Sequence, residues 1–195
     1  MVTGDETWIY FRKIESSGMW VAEGERPSTA VRRCSFEPKS MFCVFFMTTG
    51  PVLIHQMSSG QSINASYYRT NCLEPLIEEI KKKRPARGTH DIKVHFDNAR
   101  PHKASIVNDY LAERSITAMP QPAYSPDLAP SDFWLFGFLK WQLGSYPDEK
   151  SLKRAVTQKL ESIPKEMYRK SFENWIERMK LCIKCGGDYF EHLMQ

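Results

Sequence analysis

The chain has no run of eighteen apolar residues, so no segment of it reads as a membrane-spanning helix. Its opening, MVTGDETWIYF, lacks the basic-then-apolar layout of a secretory leader. Cysteine is sparse: Cys34, Cys43, Cys72, Cys182 and Cys185 are all there are. An odd count without a leader argues against a disulfide framework. Cys182 and Cys185 form a C-x-x-C, but structural zinc needs four ligands, usually as two such pairs. Without a second pair, buried thiols on a helix are the expectation. No internal repeat, low-complexity tract or long linker divides the 195 residues, so one domain over 1–195 is expected. A strong charge of either sign is missing too. The 27 Lys and Arg against 23 Asp and Glu give +4, which permits nucleic-acid binding without arguing for it.

What is present is hydrophobic patterning of two periods. Residues 1–11 read as a strand around Gly4-Asp5-Glu6. Residues 12–38 are polar and suit a hairpin or long loop, with a short strand near 19–22. Two further strands, SMFCVFFM and VLIHQM, flank Thr49-Gly50-Pro51, and the first is apolar almost throughout, as in a strand covered on both faces. Residues 65–83 repeat apolar side chains at three and four, which predicts a helix, although Pro75 falls in its middle. Short strands are expected at 91–96 and 116–119, with a helix between them at 104–113. A proline-rich loop then leads to helices at 131–143, 149–162 and 165–185. Three strands, then helix, strand, helix and strand, then helices, predict an α/β layer fold. Its sheet would be mixed, with antiparallel early strands and parallel later ones. The basic runs at residues 81–87 and at Arg32-Arg33 read as solvated helix ends, or as phosphate or nuclear-import contacts.

Three acidic positions stand out. Asp5 lies in the first strand, Asp97 directly follows the strand KVHF, and Asp132 opens a helix after a proline-rich turn. In an open sheet, strand ends and helix starts gather at one edge. Carboxylates gathered there repel one another and suit a hard cation such as Mg²⁺ or Mn²⁺. Two such ions, held about 4 Å apart, can activate a hydroxyl and stabilise a leaving oxygen in phosphodiester chemistry. Each aspartate taken alone reads first as a helix cap or turn former.

The segments VTGDETWI (2–9), HFDNARPH (95–102) and YSPDLAPSDF (124–133) resemble the signature segments of mariner-type transposases, within the Tc1/mariner superfamily. Thirty-four residues lie between Asp97 and Asp132, the family's spacing between its second and third catalytic aspartates. That spacing selects Asp132 over Asp127. Residues 39–68 resemble the family's middle. Trp175, Cys182, Gly187, Tyr189, Phe190 and Glu191 resemble its C-terminal end.

The resemblance implies an RNase H-like fold, with a mixed five-stranded sheet flanked by helices. It implies Asp5, Asp97 and Asp132 as catalytic residues and ligands of two Mg²⁺ or Mn²⁺ ions. It further implies DNA cleavage at transposon ends and transfer of the freed 3′ hydroxyl into target DNA, commonly at TA. The partners implied are transposon-end and target DNA and a second copy as a homodimer, with a nuclear location. No membrane and no small-molecule substrate are expected. The family also carries an N-terminal half with two helix-turn-helix modules, and this chain is expected to be the catalytic half without them. A histidine often directly precedes the family's second aspartate; here Phe96 does, with His95 one residue earlier. The alternative reading is a domesticated or relic domain that binds nucleic acid or a partner without cleaving.

Around the aspartates, Glu6 is a candidate to assist the metal or contact DNA. Asn98 and His102 would orient Asp97, its bound water or a phosphate, or serve as plain helix-start residues. Arg100 would contact phosphate or lie solvated. Trp8, Trp134 and Trp141 are expected in the core, with stacking on flipped bases as the alternative.

Overall fold

The computed structural model describes residues 1–13 and 36–194. Most of the loop expected over 12–38, with the strand near 19–22, Arg32, Arg33 and Cys34, lies outside the described residues.

Strand β1 (Val2–Tyr10) is the centre of the sheet. Its β-branched and aromatic residues suit a pleated, half-buried surface. It pairs antiparallel with β2 (Lys39–Met47), which pairs antiparallel with β3 (Gly50–Gln56). Gly4 sits opposite Phe45, and a Cβ there would lie 2.2 Å from the Phe45 ring, so only glycine fits. Pleating divides β2 cleanly. Cys43 and Phe45 enter one core, while Phe42, Val44 and Phe46 enter the other. This is the strand covered on both faces that the sequence predicts.

Residues 65–83 form a continuous helical rod of α1 (Ala65–Tyr67), a π-helical segment (Tyr68–Leu73) and α2 (Glu74–Lys83). Pro75 has no N–H to return to residue 71, and the widened turn directly before it absorbs that loss. Lys81 and Lys82 in the last turn pair with Glu78 and Glu79 at 2.8 and 2.7 Å. These two are a solvated helix end complementing the helix dipole.

Strand β4 (Lys93–His95) is shorter than the sequence suggests, because Asp91 adopts φ 61° and delays extension. Helix α3 (Ser105–Glu113) returns the chain to β5 (Thr117–Met119). Strand β4 runs parallel to both β1 and β5, giving the order β3-β2-β1-β4-β5. The mixed five-stranded sheet is therefore as expected.

Past a 3₁₀ turn (Pro126–Leu128), a π-helical turn (Ser131–Leu135) leads into α4 (Phe136–Gln142). Helices α5 (Glu149–Ser162) and α6 (Lys165–Lys184) follow. Asp148 and Ser151 close a reciprocal capping box at the start of α5. The rod and α3 cover one face of the sheet around Tyr68, Leu76, Ile80 and Val107. Helices α4, α5 and α6 cover the other around Leu139, Val156, Tyr168 and Trp175. Cys182 in the last turn of α6 and Cys185 at its C-cap are half-buried, more open than expected. Among the described residues, no helix is long and apolar enough to cross a membrane.

Candidate active site

Asp5 lies mid-strand on β1, opposite Val44, on the face covered by α4 to α6. Alternation along the strand sends Glu6 to the other face. Val2 pairs with Val94 and Thr3 with His95 across the parallel ladder. Continuing that register by two residues brings Asp97 alongside Asp5 on the same face. Asp132 comes from a third direction, in the π-helical turn that packs on β1. Asp5 and Asp132 lie close enough for each carboxyl to perturb the other.

The electrostatics follow from this crowding. Burial, then Glu6, then Asp132 push the Asp5 carboxyl up to about 8. Partial burial raises Asp132 as well, with Asp97 adding to it. Asp97 goes the other way, because a hydrogen bond from His102 holds its carboxyl below the usual range. Its Oδ1 accepts from His102 Nδ1 at 2.6 Å and from the Ala99 N–H at 2.9 Å. The His102 ring is buried, with the Tyr68 ring centroid 4.2 Å away and Phe96 5.3 Å away. Its Nε2 lies 3.4 Å from Glu6 Oε1, an ion-pair distance without hydrogen-bond alignment. Burial works against charge on this ring, but Asp97 and Glu6 outweigh it and push His102 up to about 10.

Neighbouring side chains hold the frame. His95 contacts Thr3 Oγ1 at 3.0 Å through Nδ1 and Gln121 Oε1 at 2.6 Å through Nε2. Gln121 donates to the Ser125 carbonyl at 2.7 Å, and Asn98 donates to the Gln121 carbonyl at 2.7 Å. This clamp ties the end of β4 to β1 and to the proline-rich loop. Asn98 thus fixes the loop rather than Asp97. Arg100 is exposed. Asp127 is tied to α6 through its backbone carbonyl, which accepts from Arg178 at 3.0 Å. A cavity of roughly 430 Å³ opens beside Asp97 and Asp132, lined also by Asn98, Gln121, Tyr124 and Ser125. Lys140 feels the Asp132 charge from two helical turns farther on. The i, i+8 spacing was the sequence signal for it, and sequence reasoning missed it. Sequence reasoning also missed that Glu6 reaches Asp97 through His102.

The tryptophans divide. Trp134 packs in the core against Phe46 and Tyr168, as expected. Trp8 and Trp141 do not: they are 43% and 72% exposed. Trp8 lies on a stretch of β1 that β4 does not pair, and Trp141 projects from α4 near its end.

Among the described residues, no three His, Cys, Asp or Glu side chains form a ready-made metal cage. The donor set still fits a hard divalent cation. Burial and neighbouring carboxyls raise both Asp5 and Asp132, and a cation between them would relieve that cost.

A family profile described as "Transposase (partial DDE domain)" matches residues 10–89. The chain is 30% identical to the Mariner Mos1 transposase of Drosophila mauritiana, over 98% of its own length and 56% of that protein's. It therefore spans about half of that relative. The crystal structure of the catalytic domain of Mos1 mariner transposase superposes with a TM-score of 0.77 at 28% identity, covering 97% of this chain and 83% of that one. Mos1 paired-end complexes with Mn and with Mg superpose with a TM-score of 0.86 each, at 31% and 30% identity, covering 97% of this chain and 56% of theirs.

The chain belongs to the mariner transposase family.

Its fold is the RNase H-like fold of the mariner catalytic domain. The departure from the common mariner pattern before the second aspartate has a packing explanation. Phe96 faces the rod and meets Tyr68 edge-on at 6.1 Å. His95 faces α6, where it meets the Trp175 ring at 4.6 Å. A histidine at 96 would bring a polar ring into an apolar contact, whereas at 95 its two nitrogens find Thr3 and Gln121.

Proposed function

We propose that this domain catalyses metal-dependent DNA strand cleavage at transposon ends and joins the freed 3′ hydroxyl to target DNA. The observation that carries the reading is the meeting of Asp5 and Asp132 on one sheet face, with Asp97 at the end of the adjoining parallel strand. Family membership and the likeness to paired-end complexes support it.

In this reading Asp5, Asp97 and Asp132 hold two Mg²⁺ or Mn²⁺ ions. When bound, the metal supplies a lowered water or hydroxyl pKa and stabilises charge on the leaving oxygen. The protein supplies position and charge. Asp5, raised by burial and by its acidic neighbours, would have to be ionised to serve as a ligand. Asp97 is held ionised and oriented by His102. Asp132, at the rim, lines with Asp97 the cavity where DNA would lie. Lys140, two helical turns farther on, offers a cation to a phosphate. The DNA partners, a homodimer joining two ends and a nuclear location belong to the same proposal. A relic that binds without cleaving is the less favoured reading, since all three carboxylates and the histidine that orients Asp97 are in place.

The test is calorimetric titration of Mn²⁺ into the 195-residue chain, beside an Asp5→Ala, Asp97→Ala double variant. Binding in the parent and none in the folded variant supports the site. Equal binding in both would overturn it. Nuclease assays on pre-nicked transposon-end DNA then test the chemistry.

A further inference from the structure

We propose that Glu6 and His102 form a relay through the sheet that sets the orientation of the Asp97 carboxylate, making both positioning residues for the site. The inference rests on the site reading given above for Asp97.

The geometry is specific. Asp97 follows β4, where no strand hydrogen bonds hold it. Both contacts to its carboxylate fall on one oxygen, Oδ1, from His102 Nδ1 and from the Ala99 N–H. Among the described residues nothing donates to Oδ2, which leaves that oxygen for an incoming cation. The carboxylate can hold this attitude only if the imidazole cannot turn. Tyr68 and Phe96 close on the ring from two sides and exclude rotation by packing. Packing fixes the plane of the ring, but not which ring edge faces Asp97. Glu6 supplies that choice by presenting Oε1 to Nε2 from the far side. With Asp97 bonded at Nδ1 and Glu6 at ion-pair distance from Nε2, the ring spans the two acidic side chains.

The placement of Glu6 is a consequence of strand pleating. Asp5 and Glu6 are neighbours in sequence, yet they face opposite sides of the sheet. Asp5 addresses the reacting side directly. Glu6 addresses the same site from behind, through His102. One dipeptide on the central strand thus positions two of the three aspartates, one in person and one at a distance. Outer partners of ligand carboxylates and histidines commonly alter metal affinity 10–100-fold when removed.

Four variants test this: His102→Ala, His102→Asn, Glu6→Gln and Glu6→Ala. The asparagine amide stands close to where Nδ1 stood, so it can still donate to Asp97 while losing the link to Glu6. Mn²⁺ calorimetry should show roughly a 10–100-fold loss of affinity for His102→Ala and partial recovery for His102→Asn. A folded His102→Ala with parental Mn²⁺ affinity would overturn the relay, as would an asparagine variant no better than alanine. A second readout needs no metal. Carbon-detected NMR of the Asp97 side-chain carboxyl should shift in Glu6→Gln and Glu6→Ala, although Glu6 does not touch Asp97. An unmoved Asp97 signal overturns the relay. If the parent binds no Mn²⁺ but the Asp97 signal responds to Glu6, the metal reading fails and the relay stands.

Discussion

At the scale of single residues, the site is a balance among carboxyls that resist sharing a space. Asp132 is the member that can be altered with least disturbance, because it sits at the rim. Asp132→Asn keeps the shape and removes the charge. It should abolish metal-dependent cleavage while leaving the melting temperature nearly unchanged. Parental cleavage rates in that variant would end the assignment. The same balance has a pH consequence. Asp5 is raised to about 8, so the folded state keeps a proton that the unfolded chain releases near 4. Stability from Asp5 is therefore lost as pH rises from about 4 to about 8. His102, raised to about 10, adds stability that is full below about 6.5 and lost as pH climbs through 10. Both slopes run the same way. Without metal, the melting temperature should fall steadily between pH 5 and 9, and Mn²⁺ should raise it most at the alkaline end. A flat profile in scanning fluorimetry would contradict the crowded-carboxyl picture. The aspartates and their spacing were readable in the sequence. The route from Glu6 to Asp97 was not, because it depends on which face each side chain takes and on a ring five residues past Asp97.

At the scale of elements, periodicity located the helices well and the irregularities within them poorly. The π-helical segment before Pro75 leaves the apolar repeat nearly intact, so the pattern still reads as a plain helix. The same holds for the turn that carries Asp132, where Pro130 precedes another widened segment. At Pro75 the proline removes a donor inside the rod, whereas Pro130 only starts its segment, where no helical hydrogen bond is lost. Strand β4 was overestimated because side-chain alternation continues through Asp91, although its backbone turns left-handed. Caps were legible only as residue types. The box closed by Asp148 and Ser151 gives a direct check, since its contacts are local and exposed. Asp148→Ala should cost about 1 kcal/mol and lower the melting temperature by roughly 2–4 °C. A change below half a degree would show that α5 is held by its packing alone.

For the whole molecule, charge and topology decide how it meets DNA. The chain carries a formal charge of +4, with Lys81, Lys82 and Lys83 exposed at the end of α2. Phosphate contact on such a surface is driven by release of counterions and carries little sequence information. The 195-residue chain should bind duplex DNA weakly, with affinity falling steeply between 50 and 200 mM salt and little preference among sequences. Strong discrimination of one end sequence by this chain, measured by anisotropy at constant salt, would contradict that expectation. The sequence made the fold class legible at this scale, because strand order and helix order map onto the sheet directly. The openness of Trp8 and Trp141 was not legible, since it arises where β4 departs from β1 and where α4 ends.

That departure has one more effect, on how the molecule comes together. Strands β2 and β3 join through a two-residue turn, and long antiparallel ladders tie β1 to β2 and β2 to β3. Strand β4 joins β1 through two residue pairs, across some ninety residues of intervening chain. Closing so long a loop is entropically costly, and a short ladder offers little in return. The meander can therefore zip early, while the parallel half docks late and opens first. Backbone amides of β4 and β5 would then exchange with solvent sooner than those of β2. Asp97 rides on that late half. The triad assembles at the end of folding, and a brief local opening of β4 is enough to take it apart while the rest of the protein stays folded.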